Sequence, residues 1–343
     1  MTAKDDIVIR RTILHILDSI HGQCILSDHL LDPGPDLYEF IRTHIYKILS
    51  SDDTKDCVFN PETSPVYSLL ADWNETEEDS FIKTSQAIAT RLYQAMAAGS
   101  DIPPADLLFA SFQAEGTIYL ALLKMNYRES YTHELTGMEG SDATTMARIR
   151  KTSALLPNAS TRIPEAAIIN MTDLHIRLLE KRYEINGEKT FYLSEHFLVC
   201  NTSLPAKKKL NILTKVINNI CNKYDDADLK TKLDTKSALQ KEFTDHQSFD
   251  VEQIGTALFG NSPEKKAAYD EKMEEYDLQY DRFTPVNEST TKKLSKQVMI
   301  TDNGIEISIP MDVYNKLANV EVTTDVTGKS TIIIRNIDNL ILK

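Results

Sequence analysis

The sequence of 343 residues lacks the features that mark several specialised classes of protein. Its 11 glycines and 12 prolines follow no repeating pattern, which excludes a collagen-like chain. Its four cysteines form no C-x-x-C pair, and this spacing favours reduced thiols over a disulfide framework. The best apolar run, Ile118 to Leu123, is far shorter than the roughly 18 residues that span a bilayer. The composition therefore predicts a soluble globular protein that does not insert into a membrane.

Targeting and catalytic motifs are also missing. Two aspartates precede the first apolar stretch and no small-residue cleavage site follows it, so a secretory signal is not predicted and a cytoplasmic location is expected. The sequence contains no G-x-G-x-x-G, no G-x-x-x-x-G-K-[ST], no G-x-S-x-G and no H-E-x-x-H. The sequence therefore gives no motif support for nucleotide binding of the common kinds or for the familiar hydrolases.

Acidic residues dominate the chain as a whole but not its middle. The net charge is −13, from 38 basic and 51 acidic residues, yet residues 151–224 hold 11 lysines and arginines against 6 acidic residues. An acidic total argues against nucleic acid, because phosphate binding depends on Lys and Arg. A basic middle between two acidic ends nevertheless fits a protein that touches a polyanion locally. Uneven surface charge without a function is the alternative explanation.

The first 204 residues predict an α+β domain on an antiparallel sheet with flanking helices. Strand-like runs flank turns at residues 21–23 and 113–116, and further strands are expected at 166–170 and 174–179. Helical periodicity follows Pro33-Gly34-Pro35, and a second helix is expected over residues 77–98.

A change of pattern at Pro205 predicts two further domains. Residues 205–285 read as a helical segment, which begins with an amphipathic helix over residues 206–224. Residues 286–343 read as a small β-rich module, with a hairpin at the turn Asn303-Gly304 and a second hairpin near the C-terminus. Two short hairpins leave one apolar face each, so the module is expected to pack on a partner sheet from the first domain or from a second protomer.

One cluster of candidate metal ligands lies near the N-terminus. It consists of His15, His21, Cys24 and His29, whose side-chain types bind zinc. Their spacing fits no standard zinc site, so packed or exposed histidines are the preferred interpretation.

A second candidate is a site for metal-dependent phosphodiester hydrolysis. Asp173 and His175 are two apart on a predicted strand, so they would face the same way and could act with Glu184 or Glu195. The Asp and Glu-x-Lys signature of restriction-type nucleases is absent. The sequence therefore predicts no catalytic residue, no metal and no cofactor, and a metal-dependent nuclease stays as an alternative.

Two basic clusters are the best candidates for a binding site. The first comprises Arg148, Arg150 and Lys151; the second comprises Lys207, Lys208 and Lys209, continued along the helix by Lys215, with Asn211 beside it. The functional interpretation is a clamp for DNA phosphates, with non-specific contacts as the larger expectation. A solvated helix face explains the same residues equally well.

The order of segments resembles a known family. The relevant runs are Cys24-Ile-Leu-Ser-Asp-His-Leu-Leu31, Ala105-Asp-Leu-Leu-Phe-Ala-Ser-Phe112, Tyr119-Leu-Ala-Leu-Leu-Lys124, Gly304-Ile-Glu-Ile307 and Thr331-Ile-Ile-Ile334. In element order and hydrophobic pattern they resemble the bacterial nucleoid-associated protein family of the YejK/NdpA type, over nearly the whole chain. The resemblance implies a DNA-binding protein of the cytoplasmic nucleoid and brings no catalytic residues with it.

These observations lead to three hypotheses. The first is a non-enzymatic, homodimeric protein that binds double-stranded DNA with little sequence preference and contributes to chromosome organisation. The second is an adaptor that other nucleoid proteins recruit, with marginal DNA affinity of its own. The third is the nuclease described above.

Overall fold

We describe a computed structural model of the chain. It covers residues 2–71, 73–74, 76–99, 101–137, 145–224, 229–314, 319–325 and 329–339. The chain divides into two compact units, unit 1 at Met1–Ser203 and unit 2 at Leu204–Lys343. The division into domains at 1–204, 205–285 and 286–343 stays a prediction. Each unit is described by itself.

Unit 1 is built on an eight-stranded antiparallel sheet with helices on both faces. Its elements, in chain order, are a 3₁₀ turn at Lys4–Asp6, β1 (Val8–Asp18), β2 (Gln23–Ile25), α1 (Pro35–Leu49), β3 (Lys55–Phe59), α2 (Pro65–Ala71), α3 (Glu78–Ala97), β4 (Ala105–Ala114), β5 (Thr117–Asn126), β6 (Arg128–Gly137), β7 (Thr145–Leu155), β8 (Glu165–Asn170), β9 (His175–Leu179), β10 (Tyr183–Ile185), β11 (Glu188–Thr190), a π-helical turn at Leu193–Phe197, and β12 (Cys200–Thr202).

The strand order of the large sheet is β12-β3-β9-β8-β5-β4-β1-β2, and three of its seven pairings, β1–β2, β4–β5 and β8–β9, join strands that are consecutive in the chain. Glu115 and Gly116 both have positive φ, 50° and 80°, as the two-residue turn between β4 and β5 requires. The predicted hairpin around residues 113–116 is confirmed, with ten residue pairs from Ala105↔Asn126 to Ala114↔Thr117. The pairs β6–β7 and β10–β11 form separate two-stranded sheets.

The core of unit 1 lies on both faces of this sheet. Along β4, Leu107 and Phe109 pack with α2 and α3 on one face, whereas Leu108 and Phe112 pack with α1 on the other. Alternate side chains of a strand point to opposite faces, so a strand that is apolar at successive positions must be covered twice. Unit 1 therefore has three layers, helix on sheet on helix.

Unit 2 contains helices followed by two hairpins. Its elements are α4 (Ala206–Tyr224), α5 (Leu229–His246), β13 (Phe249–Asp250), α6 (Val251–Phe259), α7 (Pro263–Glu275), β14 (Arg282–Phe283), α8 (Glu288–Thr291), β15 (Lys296–Ile300), β16 (Glu306–Pro310), α9 (Met311–Tyr314), β17 (Val320–Thr324) and β18 (Ser330–Ile334). Together with unit 1 these elements confirm the predicted α+β class. The predicted helix at 206–224 and the two C-terminal hairpins are also confirmed.

Two cores hold unit 2 together. Leu213 and Ile217 of α4 pack with α6 and α7 around Phe249 and Tyr269. Leu233 of α5 packs with α9 and with the inner faces of the two hairpins. Helices of the same unit therefore pack on apolar residues of both hairpins. The expectation that the hairpins need a partner sheet is wrong, because α5 and α9 supply these apolar contacts.

Candidate nucleic-acid interface

The exposed side of α4 carries only two residue types. The helix begins directly after Pro205, and its apolar side lies in a core of unit 2. Its exposed positions are Lys207, Lys208, Asn211, Lys215, Asn218, Asn219, Asn222 and Lys223. The sequence of the helix contains no aspartate and no glutamate. We call these eight side chains the α4 face; it carries positive charge and amide groups.

One predicted lysine of this helix faces inward. Lys209 keeps only 10% of its side-chain surface exposed, and its Nζ lies 2.8 Å from Oδ2 of Asp281. The same Nζ lies 6.0 Å from the centre of the Phe283 ring. Helical spacing contained this signal, since Lys209 is four residues before Leu213 and shares its side of the helix. Lys207, Lys208, Asn211 and Lys215 lie on the outer side, as expected.

Beside the α4 face runs a groove with a volume of about 700 Å³. It lies between α4, α5 and the segment from α8 to β15, entirely within unit 2. Four lysines line it, Lys215, Lys232, Lys236 and Lys293, and we call it the lysine groove. Among its described lining residues there is no carboxylate. The connection 225–228, which contains three aspartates, lies outside the described residues. Sequence reasoning missed this groove, because its lysines come from three separate segments.

Lys236 is fixed at the wall of the groove. Its Nζ donates to the backbone oxygen of Lys296 at 2.8 Å and to Oε1 of Gln297 at 3.0 Å. Partial burial lowers the pKa of this ammonium group below its ordinary value. The two hydrogen bonds leave a third N–H donor, so the side chain is positioned to contact an anion in the groove.

The first predicted cluster lies on a two-stranded ribbon formed by β6 and β7. Arg148 and Arg150 share one face of β7, opposite Glu134 and Thr132 of β6. No described carboxylate forms an ion pair with either arginine. Within the described residues, the two guanidinium groups therefore lack an acidic partner and suit contact with a phosphate.

The other face of the ribbon has a different character. Lys151 lies there opposite Tyr131, and its Nζ is 2.8 Å from Oε1 of Glu129. Tyr131 and Ile149 are 70% and 82% exposed. The ribbon itself was not predicted, although Tyr131 and His133 alternate with Ser130 and Thr132 as a strand requires.

The candidate nuclease residues do not share a strand. Asp173 lies in the turn before β9, where its Oδ1 accepts the backbone N–H of His175 at 3.0 Å. The expectation that the two residues lie together on one strand is therefore wrong, because the carboxylate caps the turn. Glu195 lies in the π-helical turn and accepts the backbone N–H of Phe191 at 3.3 Å.

His15 and His21 of the N-terminal cluster have local partners. His15 is buried and contacts Ser85 and Ser27, whereas His21 pairs with Asp18 at 2.7 Å. Within the described ranges, no three His, Cys, Asp or Glu side chains form a group that could hold a metal ion.

Comparison with known proteins identifies the family. Across the described residues, no helix has the length and apolar character that a membrane span requires. A comparison with curated proteins finds no match. The model of the family described as nucleoid-associated protein YejK matches residues 13–341, nearly the whole chain. The chain therefore belongs to the YejK family of nucleoid-associated proteins.

Proposed function

We propose that this protein binds double-stranded DNA with little sequence preference, without catalysing a reaction, and so contributes to chromosome organisation. The observation that carries the proposal is the α4 face, on which every exposed position is lysine or asparagine. Its contacts would come from Lys207, Lys208, Asn211 and Lys215. Arg148, Arg150 and Lys151 of the ribbon are proposed to add further phosphate contacts.

The dimensions of α4 suit a duplex backbone. A helix of 19 residues is about 28 Å long, which corresponds to roughly eight base pairs. Lysine acts as a mobile point charge that meets phosphates at varied positions. Phosphates are the same in every sequence, so contacts of this kind bring affinity without strong base preference.

The acidic remainder of the chain restricts where DNA can approach. The net charge of the protein is −13, whereas α4 alone contains five lysines and no acidic residue. A polyanion is repelled by most of such a surface and attracted at the basic part. Binding is therefore expected to be local, and not an extensive coating of the DNA.

Dimerisation would strengthen binding by a single weak surface. We propose a homodimer, in which two α4 faces engage the same duplex and raise the overall affinity through effective concentration. The mass of the protein in solution, measured by light scattering at several concentrations, tests this part of the proposal. A monomer at all concentrations that bind DNA would contradict it.

Charge reversal on α4 tests the proposed interface. We expect the triple variant K207E/K208E/K215E to bind a labelled random-sequence duplex at least about tenfold more weakly than the unmodified chain. The slope of log K against log salt should fall by up to about 3, since each phosphate contact contributes about 0.9. Fluorescence anisotropy at four or more salt concentrations measures both quantities.

A matched control separates local contacts from net charge. Lys83, Lys181 and Lys189 are exposed lysines of unit 1 outside the ribbon. The variant K83E/K181E/K189E makes the same change in total charge and should retain most of the affinity. Equal losses in both variants would contradict a site on α4.

A different result would favour the adaptor hypothesis. If the folded wild-type chain binds no duplex at low salt, a partner protein that stays bound after nuclease treatment would support that hypothesis.

A test for hydrolysis addresses the absence of catalysis. We expect supercoiled plasmid DNA to stay intact when it is incubated with the protein and Mg²⁺ or Mn²⁺. Nicking that co-purifies with the protein and is lost on substitution of His175 would instead support the nuclease hypothesis.

A further inference from the structure

The lysine groove has the size of a small-molecule site. Its volume of about 700 Å³ falls within the range of about 300–1,000 Å³ that is typical of ligand pockets. A space of this size admits one or two nucleotide units but not a DNA duplex. Five residues of the α4 face also line the groove: Asn211, Lys215, Asn218, Asn219 and Asn222.

The lysines of the groove are suited to phosphate. Within the described chain, no carboxylate forms an ion pair with Lys215, Lys232, Lys236 or Lys293. Lys232 and Lys293 are exposed, whereas Lys236 is held in place by its two hydrogen bonds. Among the described residues these four lysines have no acidic partner, and together they place positive charge along the groove. A phosphate chain suits this arrangement, because its oxygens accept hydrogen bonds from several ammonium groups at once.

The groove also has an apolar lining that suits a heterocyclic ring. Its apolar lining consists of the leucines Leu210, Leu229, Leu233, Leu239 and Leu294. Leu210, Leu233, Leu239 and Leu294 are only 1–6% exposed and Leu229 is half-buried, so they form the closed floor of the groove. A flat ring would pack on this apolar floor. No aromatic residue is among the described lining residues, so the ring would contact aliphatic groups and not a stacking partner.

Amide groups complete the lining. Asn211, Asn218, Asn219 and Asn222 line the α4 side, and within the described chain none of their amides has a hydrogen-bond partner. An amide both donates and accepts hydrogen bonds, as do the ring nitrogens and exocyclic groups of a base. Inorganic phosphate alone would leave both the amides and the leucines unused.

We propose that the lysine groove binds a nucleotide, with the phosphates on the lysines and the base between the leucines and the asparagines. The nucleotide is either free or an unpaired unit of a nucleic-acid strand, since both offer the same groups. The site holds phosphate by side chains and so needs none of the glycine-rich loops that this sequence lacks. This inference goes beyond duplex binding and does not depend on it.

Titration of the full-length protein with four probes tests the proposal. We expect isothermal titration calorimetry to show binding of ATP, with adenosine and inorganic tripolyphosphate each at least about tenfold weaker, because each uses only some of the groups that line the groove. A single-stranded oligonucleotide, (dA)₁₀, should compete with ATP. Tighter binding of the oligonucleotide than of ATP would identify a nucleic-acid strand as the source, and the reverse would identify a free nucleotide.

Two pairs of variants separate this site from the duplex interface. K232Q/K293Q changes exposed lysines of the groove that lie outside the α4 face, and it should weaken ATP binding at least about tenfold while duplex affinity changes less than about twofold. K207E/K208E lies outside the groove and should show the opposite pattern. A second groove variant, N218D/N222D, adds two carboxylates at exposed positions and should also lose ATP, with folding checked by circular dichroism.

The outcomes are distinct for the two functions. Absence of binding to both ATP and (dA)₁₀ at millimolar concentration, or ATP binding that survives in both groove variants, would overturn the nucleotide site. A chain that binds ATP but not duplex DNA would contradict the proposed function and support the nucleotide site.

Discussion

Burial of His15 couples the protonation of its ring to the stability of the fold. Its Nδ1 accepts the backbone N–H of Ser27 at 3.1 Å, so the proton of the neutral ring resides on Nε2. Nε2 donates to Oγ of Ser85 at 3.0 Å, and Ser85 donates in turn to the backbone oxygen of Ile82 at 2.7 Å. A second ring proton would point at the Ser27 N–H. Burial, moreover, lowers the pKa of His15 to about 4.

The pKa of His15 predicts a loss of stability in mild acid. The folded state binds the proton less readily than the unfolded chain, whose histidine pKa is about 6.5. The contribution is therefore fully present above about pH 6.5 and is lost as the pH falls from there towards about 4, by up to about 3 kcal/mol. Urea unfolding at pH 7, 5.5 and 4.5 measures it.

Substitution of the ring provides the control for this effect. His15→Gln removes the titrating group and should give a shallower pH dependence over the same interval than the unmodified protein. Equal slopes in the two proteins would show that other groups cause the acid sensitivity.

Lys124 and Glu165 form a buried ion pair between neighbouring strands. Their side chains are 2% and 0% exposed, and Nζ lies 2.9 Å from Oε2. The same carboxylate oxygen accepts from the amide of Asn126 at 3.0 Å and from the hydroxyl of Tyr183 at 2.9 Å. Burial lowers the pKa of Lys124, while the negative charge of Glu165 opposes that change. Burying two charges costs desolvation free energy, and the hydrogen bonds to Glu165 offset part of that cost.

A double-mutant cycle tests this network. Lys124→Met and Glu165→Leu each leave one buried charge unpaired and should each lower the free energy of unfolding by about 3–5 kcal/mol. The double variant removes both charges and should be less destabilised than the sum of the single variants. Denaturant unfolding at pH 7 measures all four proteins, and strict additivity would contradict coupling of the two side chains.

At the scale of single elements, the ribbon of β6 and β7 is an element that the rest of unit 1 does not cover at its described side chains. Its described side chains at 128–134 and 147–151 are exposed, and an isolated two-stranded ribbon is only marginally stable in water. A ligand or partner that covers it would therefore contribute to its stability. The arginine face and the Tyr131–Ile149 face present different surfaces to such a partner.

Removal of charge from the ribbon gives a prediction at this scale. We expect R148Q/R150Q to reduce duplex affinity about three- to tenfold and to lower the salt slope by about 1 to 2. Glutamine is chosen because glutamate at 148 would lie opposite Glu134 and disturb the ribbon. The control K83Q/R91Q on α3 removes the same charge, and an equal effect there would argue against a role for the ribbon.

At the scale of the whole molecule, each unit has the cores of an independent domain. Unit 1 buries both faces of its sheet, and unit 2 contains two cores of its own. The second unit has about 140 residues, a typical size for a single domain. We therefore expect the fragments 1–203 and 204–343 to fold separately.

Expression of the two fragments checks this expectation. Each should unfold cooperatively in circular dichroism, and the sum of their spectra should match that of the intact chain. Fragment 204–343 contains α4 and the lysine groove, so it should keep ATP binding and part of the duplex binding. Failure of either fragment to unfold cooperatively would show that the units depend on each other.

Local sequence patterns determined the fold class and most elements of this protein. The period-3.6 spacing around α1, α3 and α4 and the alternation around the turn at Glu115-Gly116 specify local structure, because they depend on neighbours in sequence. The ribbon of β6 and β7 was not predicted, because polar residues on both of its faces weaken the alternation of apolar and polar positions. Lys208, Asn211 and Lys215 of α4 were predicted for the same reason as the helix itself, since they fall opposite its apolar side.

Only the tertiary structure decided which basic residues can act together. Lys209 turns towards Asp281, a partner 72 residues away that no local pattern reveals. The lysine groove unites Lys215 of α4, Lys232 of α5 and Lys293 of the connection from α8 to β15, and its volume depends on how those segments pack. Helical and strand periods come from contacts between near neighbours, whereas a binding site is formed by distant segments whose approach depends on the packing of the whole core.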